Sequence, residues 1–234
     1  MLSLSCYRRY VDSRAVILAR AAELLAASPT GDMSTRAVCE AAGVTQPVLY
    51  RHFGDKDGLL SAVADESWEK YLAGKRAAAG SADPLDDLRT GWDAHTAFAQ
   101  ENPNAYRLVF GGALTRRPAA FAEALGLLAQ ITQRLAVQGR LCVTPTEAAQ
   151  VVMAANSGFA LGLLLRSEVY VGTSDVVREA TLRGILIDPD AVSPPNPAAG
   201  AAITLRAGLP ASRVFTPAEA ALFDEWLSRM ERDG

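Results

Sequence analysis

Aromatic and β-branched residues are scarce in this chain, and that scarcity bears on its fold class. Only 7% of the 234 residues are Phe, Trp or Tyr, and the Val, Ile and Thr runs that favour strands are few. Residues 169–171 and 202–205 alone look extended, and both segments are short. Half of the residues are hydrophobic, which is ample for a core. The composition therefore predicts an all-α protein.

Cysteines are also few, and their positions argue against two kinds of site. Cys6, Cys39 and Cys142 are far apart and form no C-x-x-C pair. We therefore expect neither disulfide bonds nor a zinc site, and no other metal or cofactor is indicated. Cys39 is expected to be a small buried hydrophobic residue.

Long apolar runs are missing as well. The first ten residues, MLSLSCYRRY, lack the apolar segment of a signal peptide. Residues 150–165 carry no charge, but they are too few for a membrane span and include Asn156, Ser157 and two glycines. We expect a cytoplasmic protein without a membrane partner.

Motifs of catalysis are not found in the sequence. It has two histidines and no G-x-S-x-G, Walker or G-x-G-x-x-G pattern. Ser157 precedes Gly158, but it lies inside an apolar helical segment rather than on an exposed turn. The chain is not expected to be an enzyme.

Helix starts are well marked along the chain. Four residues that can cap a helix stand directly before a proline: Asp83, Asn102, Thr144 and Thr216. The predicted helices are 13–27, 34–42, 46–52, 55–79, 84–101, 103–112, 118–138, 145–168, 175–187 and 217–231. Residues 188–202, with four prolines and a glycine, predict an extended linker. The terminal helix 217–231 carries an apolar stripe that must pack on its own body or on a partner.

Residues 33–60, MSTRAVCEAAGVTQPVLYRHFGDKDGLL, contain the most informative pattern. Ser34 can cap a short helix, and Gly43 supplies the residue that a sharp turn after it requires. Thr45 is placed to cap a second helix, whose Val48 and Leu49 turn inward. Two short helices in this arrangement predict a helix-turn-helix, whose second helix reads base edges in the major groove.

The charge distribution agrees weakly with that interpretation. The net charge is −3, but residues 1–60 hold seven basic and six acidic side chains. The rest of the chain is acidic. A slightly basic N-terminal segment followed by an acidic remainder is typical of a protein that contacts phosphate at one end. An ordinary random distribution of surface charges would give the same numbers.

The segment AGVTQPVLYRHFGDKDGLL resembles the signature of TetR/AcrR-type transcriptional regulators, and the preceding helix SRAVILARAAELLA resembles theirs as well. The resemblance covers roughly residues 10 to 65. Val38-Cys39 replaces the usual Ile-Ala, and Pro47 replaces a small residue, which changes the base-reading surface.

The resemblance implies which residues contact DNA. Thr45, Gln46, Pro47 and Tyr50 would face the groove, with Gln46 suited to an adenine edge and Pro47 to a thymine methyl. Tyr50, His52, Lys56 and Thr35 would reach phosphates. Packing beneath the hairpin is the alternative for His52. Phe53 is expected in the core.

The resemblance also implies a domain plan. Residues 1–54 would form a three-helix DNA-binding domain, and residues 55–234 a helical effector-binding and dimerisation domain that includes the linker and the terminal helix. The apolar helix 145–168 and helix 175–187 would form a two-fold interface, with the terminal helix as a competing second partner, unless the protein is a monomer.

The middle helices would then enclose a pocket for a small, apolar effector, unless the same residues form a plain core. Its expected lining is Trp92, His95, Phe98, Tyr106, Phe110, Phe121, Leu128, Met153, Asn156 and Phe159.

Two functions therefore stay open. The first is a regulator, more specifically a repressor, that binds a palindromic operator as a homodimer and is released by the effector. The second is a helical, dimeric ligand-binding protein that no longer recognises DNA.

Overall fold

The computed structural model describes residues 4–78, 80–112, 114–115, 118–187 and 197–232, with side chains between residues 13 and 231. Within those ranges the regular elements are helices and no strand is present, which confirms the all-α prediction. The helices are α1 Leu4–Ala27, α2 Thr35–Ala42, α3 Gln46–Phe53, α4 Lys56–Ala77, α5 Pro84–Glu101, α6 Pro103–Phe110, α7 Ala119–Val137, α8 Pro145–Leu165, α9 Ser167–Tyr170, α10 Ser174–Ile185, α11 Pro197–Gly208 and α12 Pro217–Arg232.

Capping side chains set several of these boundaries. Thr144 and Glu147 form a reciprocal capping box at the start of α8, and Thr216 and Glu219 do the same for α12. The Asn102 side chain instead donates to the Phe98 carbonyl, so its predicted capping role is wrong. Helix α6 nevertheless begins at the next residue, Pro103.

Two predictions for the region after α7 are wrong. Helix 145–168 was too long, because α8 ends at Leu165 and the short α9 follows. Most of segment 169–171 is therefore the end of α9 and not an extended strand.

The predicted linker 188–202 is also wrong for the part that the structure describes. Residues 197–202 belong to α11, as do residues 202–205, which looked extended. Proline is compatible with the first turn of a helix, and the alanines that follow favour helix. Ala202 and Ile203 are buried, so packing fixes this helix. Residues 188–196 lie outside the described part of the chain.

The chain divides into two compact units. The first comprises Met1–Ala78 and Ala97–Ala124, and the second Ala79–Thr96 and Leu125–Gly234. Helices α5 and α7 contribute residues to both. This division concerns packing, so the functional boundary between residues 54 and 55 stays a prediction.

In the first unit, α1 packs against α2, α3 and α4. Ile17 of α1, Val38 of α2, Leu49 of α3 and Val63 of α4 are completely buried in one hydrophobic cluster. Because each short helix contributes to the same core, their orientations are fixed relative to α1 and α4.

In the second unit, α8 lies in the core and packs against α10. Its buried residues are Ala148, Ala149, Val152, Met153, Asn156, Phe159 and Ala160. By length and composition alone, α8 could cross a membrane, and it is the one such helix in the described ranges. A core helix of a globular protein has the same properties.

Candidate DNA-binding surface

Helix α2 begins and ends where the sequence predicts. Ser34 Oγ accepts a hydrogen bond from the Ala37 N–H at 3.1 Å. Gly43 has a φ of 64°, in the left-handed region, and its N–H reaches the carbonyls of Cys39 and Glu40. The cap and the turn glycine are therefore confirmed.

Helix α3 begins differently from the prediction. Thr45 is the residue before the helix, but its side chain makes no capping hydrogen bond. Pro47 has no N–H to donate, and the Val48 N–H donates to the Thr45 carbonyl at 3.0 Å. The prediction that the Thr45 side chain caps α3 is wrong, because of the two N–H groups that usually bind a cap, that of Pro47 is missing and that of Val48 is already bonded.

The inward faces of α2 and α3 are apolar. Val38 and Leu49 are completely buried, and Cys39 and Phe53 are nearly so. Burial raises the pKa of the Cys39 thiol, which agrees with its expected role as a small hydrophobic residue, and Phe53 is in the core as predicted. These contacts fix which side of α3 faces outward.

The outward face of α3 carries the residues expected to meet the groove. Thr45, Gln46, Pro47 and Tyr50 are all exposed, and Tyr50 retains 40% of its surface. Gln46 and Tyr50 are four residues apart and lie on one side of the helix. The arrangement leaves an amide, a pyrrolidine ring and a phenol in solvent on a rigid support.

Two of the predicted phosphate contacts lie side by side. The Thr35 Oγ1 and Tyr50 Oη atoms are 3.4 Å apart. Thr35 is the first residue of α2, so the exposed ends of the two helices meet here. Two hydroxyls at this distance can donate to the oxygens of one phosphate.

His52 is turned toward the body of the first unit. Its Nε2 atom lies 2.8 Å from Ser13 Oγ of α1. Burial, together with the charges of Arg51 and Arg14, lowers the pKa of His52. A neutral, half-buried imidazole fits the packing alternative, and its phosphate contact stays a prediction.

Lys56 opens α4 and forms an ion pair within the chain. Its Nζ atom lies 2.6 Å from Asp32 Oδ1, and the hydrogen bond from Lys56 lowers the pKa of Asp32. Both side chains are substantially exposed. Exposed pairs of this kind stabilise proteins little, so a phosphate can compete with Asp32 for the ammonium.

Two cations near this surface were not predicted from the sequence. Arg51 is exposed in the last turn of α3, four residues after Pro47. Arg14 of α1 is exposed, with its guanidinium carbon 5.3 Å from the centroid of the Phe53 ring. The four-residue spacing could have identified Arg51, but only the packing of α1 on α3 reveals Arg14.

The ten residues expected to line an effector pocket are divided between the two units. The first unit contains Phe98, Tyr106, Phe110 and Phe121, and the second contains Trp92, His95, Leu128, Met153, Asn156 and Phe159. Their role as a lining stays a prediction.

In the first unit these residues pack on one another. Tyr106 stacks on Phe110 at 4.7 Å between ring centroids, and Phe110 meets Phe121 edge-on at 5.7 Å. Trp68 of α4 contacts Phe98 at 4.6 Å. Their rings supply contacts to one another in this conformation, as in an aromatic core.

In the second unit the polar residues have partners in the protein. Asn156 accepts from Thr96 Oγ1 and donates to the Trp92 carbonyl, both at 3.2 Å. Trp92 Nε1 donates to Ser174 Oγ at 3.0 Å. Asn156 therefore does not need a ligand to satisfy its amide. Over the described ranges, no group of three or more His, Cys, Asp or Glu could hold a metal ion.

Comparison with known proteins identifies the first helices. Residues 17–63 match the family described as bacterial regulatory proteins, tetR family. The HTH-type transcriptional activator FasR of Mycolicibacterium smegmatis is 31% identical over 87 residues, which is 37% of this chain and 40% of that protein. The alignment thus spans well under half the length of this relative.

Solved structures share the fold over more of the chain. A TetR-family transcriptional regulator from Pectobacterium atrosepticum is 23% identical, with a TM-score of 0.55, and the match covers 78% of this chain and 98% of that one. NalD of Pseudomonas aeruginosa, the secondary repressor of the MexAB-OprM multidrug efflux pump, is 19% identical, with a TM-score of 0.54 and coverages of 77% and 99%. These regulators are not enzymes. Residues 17–63 are therefore similar to the TetR family of bacterial regulatory proteins at the helix-turn-helix, and the helical fold of the chain is similar to that of a solved TetR-family regulator.

Proposed function

We propose that this protein is a cytoplasmic repressor that binds a palindromic operator as a homodimer and is released by a small, apolar effector. The observation that carries the proposal is the rigid display of Gln46, Pro47 and Tyr50 on α3, whose opposite face is buried. Residues 1–54 would be the DNA-binding domain and residues 55–234 the effector-binding and dimerisation domain.

The exposed residues divide into two roles. Gln46 and Pro47, in the first turn of α3, read base edges, because the leading residues of a recognition helix enter the major groove. Thr35, Thr45, Tyr50, Lys56 and the additional cation Arg51 bind phosphates and set the register. Arg51 and Arg14 supply positive charge beside His52, which itself is neutral.

A dimer is required because one short hairpin covers a single half-site. Helices α8 and α10 pack together and still leave apolar side chains in solvent, among them Val151 of α8 and Val176 of α10, which are 44% and 70% exposed. These side chains suit a two-fold four-helix interface.

An effector can release the dimer from DNA only if it binds better at one separation of the two α3 helices than at the other. The aromatic cluster around Trp68 and Tyr106 offers apolar walls to such a ligand. Because those rings contact one another, the effector would have to displace or separate some of them.

Selection of bound duplexes from a random pool tests DNA recognition. Gln46→Ala should relax the preference at one base position per half-site, by about 1–3 kcal/mol of discrimination. Lys56→Ala should weaken binding to all sequences and reduce the salt dependence by about one counterion per half-site. Gln130→Ala on α7 and Lys70→Ala, further along α4 than Lys56, are matched controls at exposed positions.

The selection also discriminates the alternative function. A helical ligand-binding protein without DNA recognition would enrich no palindrome, and its four variants would bind duplexes equally. Placing the selected operator upstream of a reporter then gives the sign of regulation. Repression that is relieved by an apolar compound supports the proposal, whereas activation contradicts its repressor element.

A further inference from the structure

The terminal helix α12 presents an apolar stripe to solvent. Leu222, Trp226 and Met230 are spaced at four-residue intervals and are 47%, 53% and 46% exposed. Four-residue spacing aligns them as one ridge along the helix. No part of the DNA-binding and effector scheme uses this ridge.

The ridge is not needed to hold α12 in place. Leu227, about 100° around the helix from Trp226, is 2% exposed, and α12 packs along α11. Arg206 of α11 binds Asp224 and Glu231 at 2.8 and 2.7 Å. The helix is therefore anchored by one face while the other face stays apolar and uncovered.

The hairpin of α11 and α12 is in turn fixed to the second unit. Ile203 of α11 belongs to the hydrophobic core of that unit, and Gln133 of α7 donates to the Ala207 carbonyl at 3.0 Å. A ridge on such a support is held in one orientation, as a protein interface requires.

The charged side chains beside the ridge are placed so that they can pair with the same side chains of a second copy. Glu225 precedes Trp226 by one residue and Arg229 follows it by three, so both lie on the same flank of the helix. They form an exposed ion pair within α12. If a second α12 runs antiparallel about a two-fold axis at Trp226, Glu225 of each copy lies beside Arg229 of the other. Leu222 of each copy then meets Met230 of the other.

We propose that the α12 ridge binds the α12 ridge of a second copy and thereby pairs two dimers into a tetramer. This rests on the proposed dimer through α8 and α10, which leaves α12 available. Three side chains form a smaller contact than the roughly 800 Å² per partner of a standard interface. The tetramer therefore forms in a concentration-dependent equilibrium with the dimer.

Sedimentation velocity of the full chain, from about 1 to about 100 µM, measures this equilibrium. The natural protein should convert from dimer to tetramer as its concentration rises. Trp226→Glu should remain a dimer, with the association constant reduced at least about tenfold. Val137→Glu is the matched control, because Val137 is also 53% exposed but lies on α7, and it should behave as the natural protein does.

A charge exchange makes the test specific for the antiparallel pairing. Glu225→Arg alone and Arg229→Glu alone should each weaken the tetramer, because like charges then face each other. An equimolar mixture of these two variants should associate more strongly than either alone, since opposite charges meet again between copies. The ion pair inside each helix stays broken in the mixture, so only the contact between copies can restore association.

Three results would overturn the proposal. The natural protein could stay a dimer at every concentration, the mixture could associate no better than its components, or Trp226→Glu could become a monomer. In the last case the ridge would be the dimer contact itself. DNA binding separates this outcome from failure of the proposed function: Trp226→Glu should bind a single operator as the natural protein does.

Discussion

Tyr50 and His52 are two residues apart on α3, yet their surroundings differ. Tyr50 is exposed beside Thr35, whereas His52 faces Ser13 of α1. Two residues along a helix turn the side chain by more than half a revolution, so the periodicity alone predicts that both cannot face one groove equally. The sequence resemblance assigned both to phosphate, and only the packing of α1 separates them.

The lowered pKa of His52 predicts how stability depends on pH. In the folded protein its pKa lies below the ordinary value of 6.5. The unfolded chain therefore binds more protons between these two values, and the free energy of unfolding rises with pH across that window. His52→Gln should flatten the rise, as measured by urea denaturation at several pH values from about 4.5 to about 7. An unchanged slope in the variant would contradict this assignment.

The two residues before α2 and α3 show what a sequence pattern can and cannot predict. Ser34 caps α2 as expected. Thr45 occupies the equivalent position before α3 but has no donor to accept from. The position of each helix start was therefore predictable from residue type. Whether the residue there forms a capping hydrogen bond was not, because at Thr45 it depended on Pro47 and on the local path of the backbone.

This difference predicts opposite behaviour for two alanine variants. Ser34→Ala should lower the free energy of unfolding by about 1 kcal/mol, because a capping hydrogen bond is lost. Thr45→Ala should change stability by less than about 0.5 kcal/mol and should instead weaken operator binding. Denaturant unfolding and a binding titration on both variants test this, and equal losses of stability would contradict it.

At the scale of elements, the helix boundaries that a capping residue or a proline marks were predictable. Helix α5 spans 84–101 as predicted, since Asp83 and Pro84 mark its start. Helix α11 was missed because prolines around it are typical of linkers. Its existence depends on the burial of Ala202 and Ile203, and Ile203 packs in a core cluster with residues distant in sequence. One-dimensional spacing does not reveal such contacts.

The turn between α2 and α3 gives a prediction at this scale. Gly43 has a φ of 64° with open space around it, so Gly43→Ala should cost about 1 kcal/mol through backbone strain alone. Gly74, inside α4 and also in open space, is the control. Gly74→Ala should stabilise by about 0.5–1 kcal/mol. Thermal unfolding of both variants would contradict the account if the two shifts had the same sign.

At the scale of the whole molecule, the sequence predicted the all-helical class and the helix-turn-helix more readily than the effector site. The helix-turn-helix depends on local spacing, so one segment of sequence contains most of it. The proposed pocket depends on which aromatic rings meet across helices. Tyr106 and Phe110 were both placed in the expected lining, but their stacking on each other could not be predicted from the sequence.

The whole chain has a net charge of −3, so the proposed DNA binding would rest on the local surface around α3 rather than on overall attraction. This predicts a limited salt dependence, set by the few cations near that surface. Arg51→Ala should therefore lower affinity for all duplexes and reduce the salt dependence by about one counterion per half-site. Arg213→Ala, an exposed change in the segment between α11 and α12, should leave both unaltered. Equal effects of the two changes would contradict a phosphate role for Arg51.

The central claim is tested most directly by the stoichiometry and salt dependence of binding to the selected duplex. Titration followed by mass measurement should show two chains on each palindrome, with affinity that falls as salt rises and that drops further in Gln46→Ala. One chain on each palindrome, or binding that neither salt nor Gln46→Ala alters, would contradict the account.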